Sequence, residues 1–150
     1  MSSSRPSARK KARHMLVQAM YQWQISGARI SAIEAQYKAE KGMAKADPDF
    51  FSELIHQIPE KLDEIDEAFR EFLDRDLSAL DPISVAILRI ATYELLHRID
   101  VPYRVVINES VNLAKTFGPT DAHKYINGVV DRVAARTRRL EISSGKKVST

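Results

Sequence analysis

The sequence predicts an all-α fold, and three observations carry that prediction. Apolar residues recur at three- and four-residue spacing along most of the 150-residue chain, strand-like alternation appears nowhere, and only five glycines interrupt the pattern. A chain of this length can bury about two-thirds of its unfolded surface, so one compact unit with a proper core is expected.

Residues 1–6, MSSSRP, and 143–150, SSGKKVST, are small and polar without apolar periodicity, and read as flexible tails. The first helix is placed over residues 7–26, stopping at Gly27, because Ala12, Met15, Leu16, Ala19, Met20 and Trp23 form one stripe. On that phase Lys10, Arg13, His14, Val17 and Tyr21 point to the flank and far side, so Tyr21 is expected to face solvent or a partner. Ser31 with Glu34 three residues on reads as a capping box, Ile30 serving as its staple, for a second helix that reaches Lys41 before Gly42. Asp47 followed by Pro48 opens another helix. Phe51, Leu54, Ile55, Ile58, Leu62, Ile65, Phe69 and Phe72 continue its apolar face, and Pro59 must kink or break the stretch.

Asp81 and Pro82 repeat the cap, and the ISVAILRIATYELL that follows is apolar almost all round, which makes it the central buried helix. Arg89 and Glu94 within it need partners, an ion pair or a carbonyl contact. After the turn Asp100, Val101, Pro102, a helix carrying Val106, Ile107, Ser110, Val111, Ala114 and Phe117 stops at Gly118 and Pro119. Thr120 or Asp121 caps the next one. Ala122, Ile126, Val129, Val130 and Val133 form its core stripe, with Gly128 marking a close helix contact.

Charge is distributed unevenly. Net charge is only +3, yet Arg5, Arg9, Lys10, Lys11 and Arg13 precede the first acidic residue, Glu34. Such a basic cluster running into an amphipathic helix suits a polyanion. Residues 47–76 sum to −8, and the last twenty residues turn basic again. The three- and four-residue spacing makes the central acids the solvated face of core-packed helices, with no catalytic role required. The absence of cysteine excludes disulfides, thiolate metal sites and cysteine nucleophiles, and fits a reducing cytoplasm. No run of about 18 apolar residues is present to span a bilayer, so a soluble, cytoplasmic protein is expected. His14, His56, His97 and His123 lack partners at metal-ligand spacing; no metal, cofactor or catalytic residue is assigned.

Three blocks then carry a family resemblance: ARKKARHMLVQAMYQWQ at residues 8–24, LDPISVAILRIATYELLHRIDVPYRVVINESVNLAKTFG at 80–118, and TDAHKYINGVVDRVA at 120–134. In order, content and spacing the chain resembles the NusB family of bacterial transcription antitermination factors over nearly its whole length. The resemblance implies a NusB-like helical domain over residues 7–142, built of two small helical subdomains, 7–78 and 79–142, packed together. It implies an RNA-binding adaptor without catalysis that, with the small-subunit ribosomal protein NusE, binds the boxA element of ribosomal RNA leaders and joins an antitermination complex on RNA polymerase.

Single-stranded RNA is held by phosphate contacts and by bases stacked on aromatic rings. The resemblance carries RNA contact onto Arg9, Lys10, Lys11 and Arg13, and onto Lys124 and Tyr125. Arg5 joins them on charge alone, and Gln18 is a candidate for reading a base edge, with a solvated glutamine as the alternative. Asp121 is expected to cap its helix and to weaken RNA binding by repulsion. For the protein partner the resemblance points to Tyr21 and to the position of Ser84, where many family members carry an acid and this chain does not. Three other readings remain: a NusB-like domain serving ribosomal RNA processing or modification, a small RNA-acting enzyme around His123, Asp121 and Glu109, and a helix-turn-helix DNA protein. The methyltransferases that carry such a domain add a catalytic domain with a glycine-rich cofactor motif, which is absent from this sequence.

Overall fold

A computed structural model describes residues 5–149, with side chains through residue 145. In chain order the α-helices are α1 (Arg5–Ser26), α2 (Ile30–Lys38), α3 (Pro48–Glu60), α4 (Leu62–Arg70), α5 (Pro82–His97), α6 (Tyr103–Phe117), α7 (Ala122–Thr137) and α8 (Arg139–Ser149), with 3-10 turns at Lys41–Lys45 and Leu77–Ala79. No strand occurs among the described residues.

The two Asp-Pro signatures work as their chemistry requires. Asp47 accepts from the Phe50 N–H at 3.0 Å and Asp81 from the Ser84 N–H at 2.9 Å, each with proline in the first turn, where its missing N–H costs nothing. Gly27 closes α1 at φ +67, a conformation that glycine adopts without a Cβ penalty. At Gly118 the constraint is space: a Cβ there would stand 2.8 Å from the Ala114 carbonyl oxygen. Pro59 lies inside α3, and the break follows at Lys61, which ends α3 and begins α4.

Several sequence expectations change. Arg5 and Pro6, assigned to a tail, open α1, and residues 143–149, assigned to the other tail, continue α8. Glu141 fastens the first turn of α8 by accepting from the Tyr103 N–H at 3.0 Å. Residues 1–4 and Thr150 lie outside the described residues. The Ser31 capping box is not formed, because α2 begins at Ile30 and Glu34 turns instead to Ser52, His56 and Lys38. Gly128 meets nothing within 4 Å of an added Cβ, so it makes no close helix contact.

Helix α5 is the axis of the molecule. It is buried from Ser84 to Leu95 except for Arg89, and α1, α3, α4, α6 and α7 all pack on it in one continuous core. Each of its charges has a partner. Arg89 donates to both oxygens of Asp66 at 2.9 Å and to Gln24, and Glu94 pairs with Arg13. The end of α5 is closed by a residue that sequence reasoning passed over. Arg138, 3% exposed and just past α7, donates to the carbonyl oxygens of Glu94, Leu95, Arg98 and Val101 at 2.9 to 3.1 Å. A guanidinium thus satisfies acceptors that the last turn of a helix leaves open.

Candidate nucleic-acid interface

Two arginines of α1 hold the helix to the body of the protein. Arg13 is 3% exposed, and its Nε and Nη2 donate to the two carboxylate oxygens of Glu94 at 2.8 and 2.7 Å, a bidentate buried pair. Arg9 donates from Nη1 to Asp100 at 3.2 Å, and its Nε stands 3.6 Å from Asp47. Arg98, just past α5, donates to Asp100 and, at 2.8 Å, to Glu53. All three guanidinium groups lie 5.1 to 5.3 Å from the ring centroid of Phe50, whose π face attracts cations. Hydrogen bonds from Arg98 hold the Asp100 carboxyl well below the usual range against the opposing effect of burial. Burial works against the charge on Arg13, and the hydrogen bond and attraction of Glu94 reverse it, leaving the guanidinium firmly protonated.

This arrangement corrects the placement of two residues expected to touch RNA. Arg13 does not lie on the free flank of α1, and Val17 beside it is fully buried. The helix is covered by α2 and α3 as well as by α5 and α6, so its buried face is wider than the six-residue stripe. Arg9 is likewise turned inward onto Asp47 and Asp100, its side chain only 12% exposed.

The remaining basic groups of α1 face out. Arg5 and Lys11 are exposed, and Lys11 has no ion-pair partner among the described residues. Lys10 is half exposed, its Nζ 3.9 Å from Glu109. Gln18 is exposed one turn above His14, donating to the His14 carbonyl at 3.3 Å. The His14 ring packs edge-on against Phe117 with centroids 5.3 Å apart, which sets the end of α6 beside α1. Burial, reinforced by Lys10, pushes the His14 pKa below its ordinary value.

Beyond Phe117 the chain turns into the TDAHKY block. Asp121 adopts φ +64, the left-handed region that Asp and Asn tolerate better than most residues. It occupies the N-cap position of α7, yet its side chain makes no capping hydrogen bond, a correction to the expected cap; the carboxylate stands instead 3.7 Å from Lys124 Nζ. Lys124 is well exposed. Tyr125 is half-buried, its hydroxyl accepting from the Asp74 N–H at 3.2 Å and its ring covered by Arg75 at 5.2 Å. Arg75 is a basic neighbour that the acidic run around it concealed. No hydrogen bond or ion pair joins Lys10 or Lys11 to Lys124 or Tyr125 among the described residues; the His14–Phe117 packing and the approach of Lys10 to Glu109 hold α6, which leads into this block, beside α1.

At the far end of α1, Tyr21 and Ile25 are exposed one turn apart. Ile25 borders a cleft of about 410 Å³ whose other walls include Leu77, Leu80, Pro82 and Val85. Ser84 does not belong to this surface. It is 2% exposed, and its hydroxyl donates to Asp81 at 2.7 Å, so it serves the cap of α5. Among the described residues no three His, Asp or Glu side chains stand together as a metal site, and no helix is long and apolar enough to cross a membrane.

Comparison with known proteins adds to this geometry. Residues 10–135 match the model of the NusB family. The chain is 44% identical over 146 residues to the transcription antitermination protein NusB of Pseudomonas savastanoi pv. phaseolicola, covering 97% of this chain and 88% of that one. It is 48% identical over 139 residues to the protein of the same name from Saccharophagus degradans, covering 92% and 93%. Among solved structures, NusB of T. maritima superposes with a TM-score of 0.71 at 29% identity, covering 84% of this chain and 89% of that one.

Proposed function

The chain belongs to the NusB family of transcription antitermination proteins, and on that premise we propose that it is an RNA-binding adaptor that joins boxA RNA and NusE to an antitermination complex on RNA polymerase. The observation that carries this reading is the division of labour along α1. Arg9 and Arg13 are spent inward, clamping the helix to α3 and α5, while Arg5, Lys10 and Lys11 are presented outward on the rigid platform that results. A positioned cation binds a phosphate with less ordering cost than one on a mobile tail.

Lys124 extends the basic surface past the α6–α7 turn, and Tyr125 with Arg75 offers a ring and a guanidinium for base contact. Tyr21 and Ile25, with the cleft beside Leu77 and Pro82, supply the apolar face for NusE. Binding free energy alone drives the process. Of the residues named in the enzyme reading, Glu109 stands beside Lys10 and Asp121 beside Lys124, so both acids face the basic groups assigned here to RNA.

The test is titration of boxA-like RNA against a scrambled control, with and without NusE, over a range of salt. If three or four phosphates are neutralised, log affinity falls against log salt with a slope of about −2 to −3, and replacing both Lys10 and Lys11 by alanine flattens it by about 1.4. Salt-independent affinity, or equal binding of the scrambled RNA in the presence of NusE, overturns the proposal. Equal competition by duplex DNA transfers it to the DNA-binding reading.

A further inference from the structure

We propose that a cleft on the outer flank of α1, outlined by Ser7, Lys10, Lys11, His14, Met15 and Gly42, holds one unstacked nucleobase of a single-stranded RNA whose flanking phosphates lie on Lys10 and Lys11. The inference rests on the RNA-binding reading and gives it a place where a base, beyond the backbone, is gripped.

Shape and lining come first. The cleft holds about 370 Å³ and its walls are predominantly apolar, a volume within the roughly 300–1,000 Å³ common for small-ligand sites. Met15 supplies a polarizable floor, and the aliphatic stems of lysines can cover apolar surface while their ammonium groups stay in water. His14 brings a planar ring. Its edge-on packing against Phe117 fixes that ring before any ligand arrives, and burial favours the neutral form. Gln18, bonded to the His14 carbonyl, places an amide one turn above, where it can meet a base edge.

Charge then selects the occupant. An apolar slot bordered by two cations one residue apart matches the alternation of flat base and phosphate along a single strand. Lys11 has no internal ion-pair partner among the described residues, and Lys10 has only the 3.9 Å approach of Glu109, so both can turn to phosphate. An acidic peptide would satisfy the lysines and leave the apolar slot unfilled.

The experiment uses the full chain and a ten-nucleotide boxA-like RNA in which an abasic site is moved along the strand one position at a time. In the wild-type protein one position should stand out, its abasic form binding about 5- to 150-fold more weakly, the range for one base stacked on a protein ring. Two variants locate the loss. His14→Ala removes the ring, and Gly42→Leu fills the slot from a position where an added Cβ meets nothing within 4 Å and φ is not left-handed. In both, normal RNA should bind more weakly and the sensitive abasic position should cost nothing further, while the salt slope set by Lys10 and Lys11 is unchanged. Circular dichroism melts identify a folded variant. Equal losses at every abasic position, or wild-type affinity in folded Gly42→Leu, overturn the base slot while leaving RNA binding intact. Failure of the wild type to bind any RNA overturns both readings. Displacement of the RNA by an oligoglutamate peptide at equal concentration, relieved in Gly42→Leu, gives the cleft to an acidic protein segment and also overturns the base assignment.

Discussion

Replacing Arg13 by alanine should unfold the protein more readily without acting through RNA. The substitution leaves Glu94, 1% exposed in the last turn of α5, without the two guanidinium hydrogen bonds that Arg13 donates at 2.7 and 2.8 Å. Breaking a buried ion pair from one side costs about 3–5 kcal/mol, because the remaining charge stays desolvated. For a chain of this size each kcal/mol moves the midpoint by about 2–4 °C, so Tm should fall by about 6–20 °C. The packing of the guanidinium over Phe50 is lost with it. The assay is urea unfolding followed by helical circular dichroism, paired with RNA titration well below the lowered midpoint. A second variant separates charge from packing. Arg13→Met with Glu94→Leu replaces both ions by apolar groups and should return to within about 2 kcal/mol of the wild type. Wild-type stability in Arg13→Ala combined with weakened RNA binding would refute the reasoning, since it would place the guanidinium on the ligand.

Three further expectations are tested separately. Asp121→Asn keeps a residue that tolerates the left-handed backbone, removes a negative charge 3.7 Å from Lys124 Nζ, and should tighten RNA binding about two- to fivefold in a titration at low salt; unchanged or weaker binding by the folded variant contradicts it. Arg138→Ala strands the Leu95 and Val101 carbonyl oxygens, while those of Glu94 and Arg98 keep the N–H groups of Arg98 and Val101, and should cost about 2–4 kcal/mol, with hydrogen exchange accelerated over the last turn of α5. Burial alone would raise the Glu34 pKa, yet hydrogen bonds from Ser52, His56 and Lys38 hold it down at about 2 from an ordinary 4.5. Its stabilising contribution is therefore complete above about pH 4.5 and is lost as pH falls toward 2, worth about 1 kcal/mol after solvent screening; the stability gap between wild type and Glu34→Gln should close over that window in acid titrations.

What the sequence revealed and what it concealed divide along physical lines. Asp47-Pro48 and Asp81-Pro82 act on backbone groups three residues away, so their caps were legible from neighbours alone. The burial of α5 was legible because its run of apolar residues leaves no polar face. The inward turn of Arg13 is not legible locally, because its partner lies 81 residues on and the six-residue apolar stripe leaves Arg13 on its flank. A signal did exist. Glu94 stood unpaired in an apolar helix, and Arg13 shares the phase of Leu16, Val17 and Met20, all buried. Arg138 gave less warning, since it sits among Arg136 and Arg139 in a run that reads as a solvated basic end. In the candidate site, Lys10, Lys11 and Lys124 were legible as exposed cations, whereas the covering of Tyr125 by Arg75 depends on a packing between segments fifty residues apart.

The clamp formed by Arg138 has a consequence for how the chain comes into being. Synthesis delivers α5 first, and the last carbonyl that Arg138 binds within the α5–α6 turn belongs to Val101, 37 residues earlier. At about 5–20 residues per second the ribosome takes roughly 2–7 s to cover that interval. During it the end of the central helix is complete in sequence but open to water, and the domain can reach its native state only once nearly the whole chain has emerged.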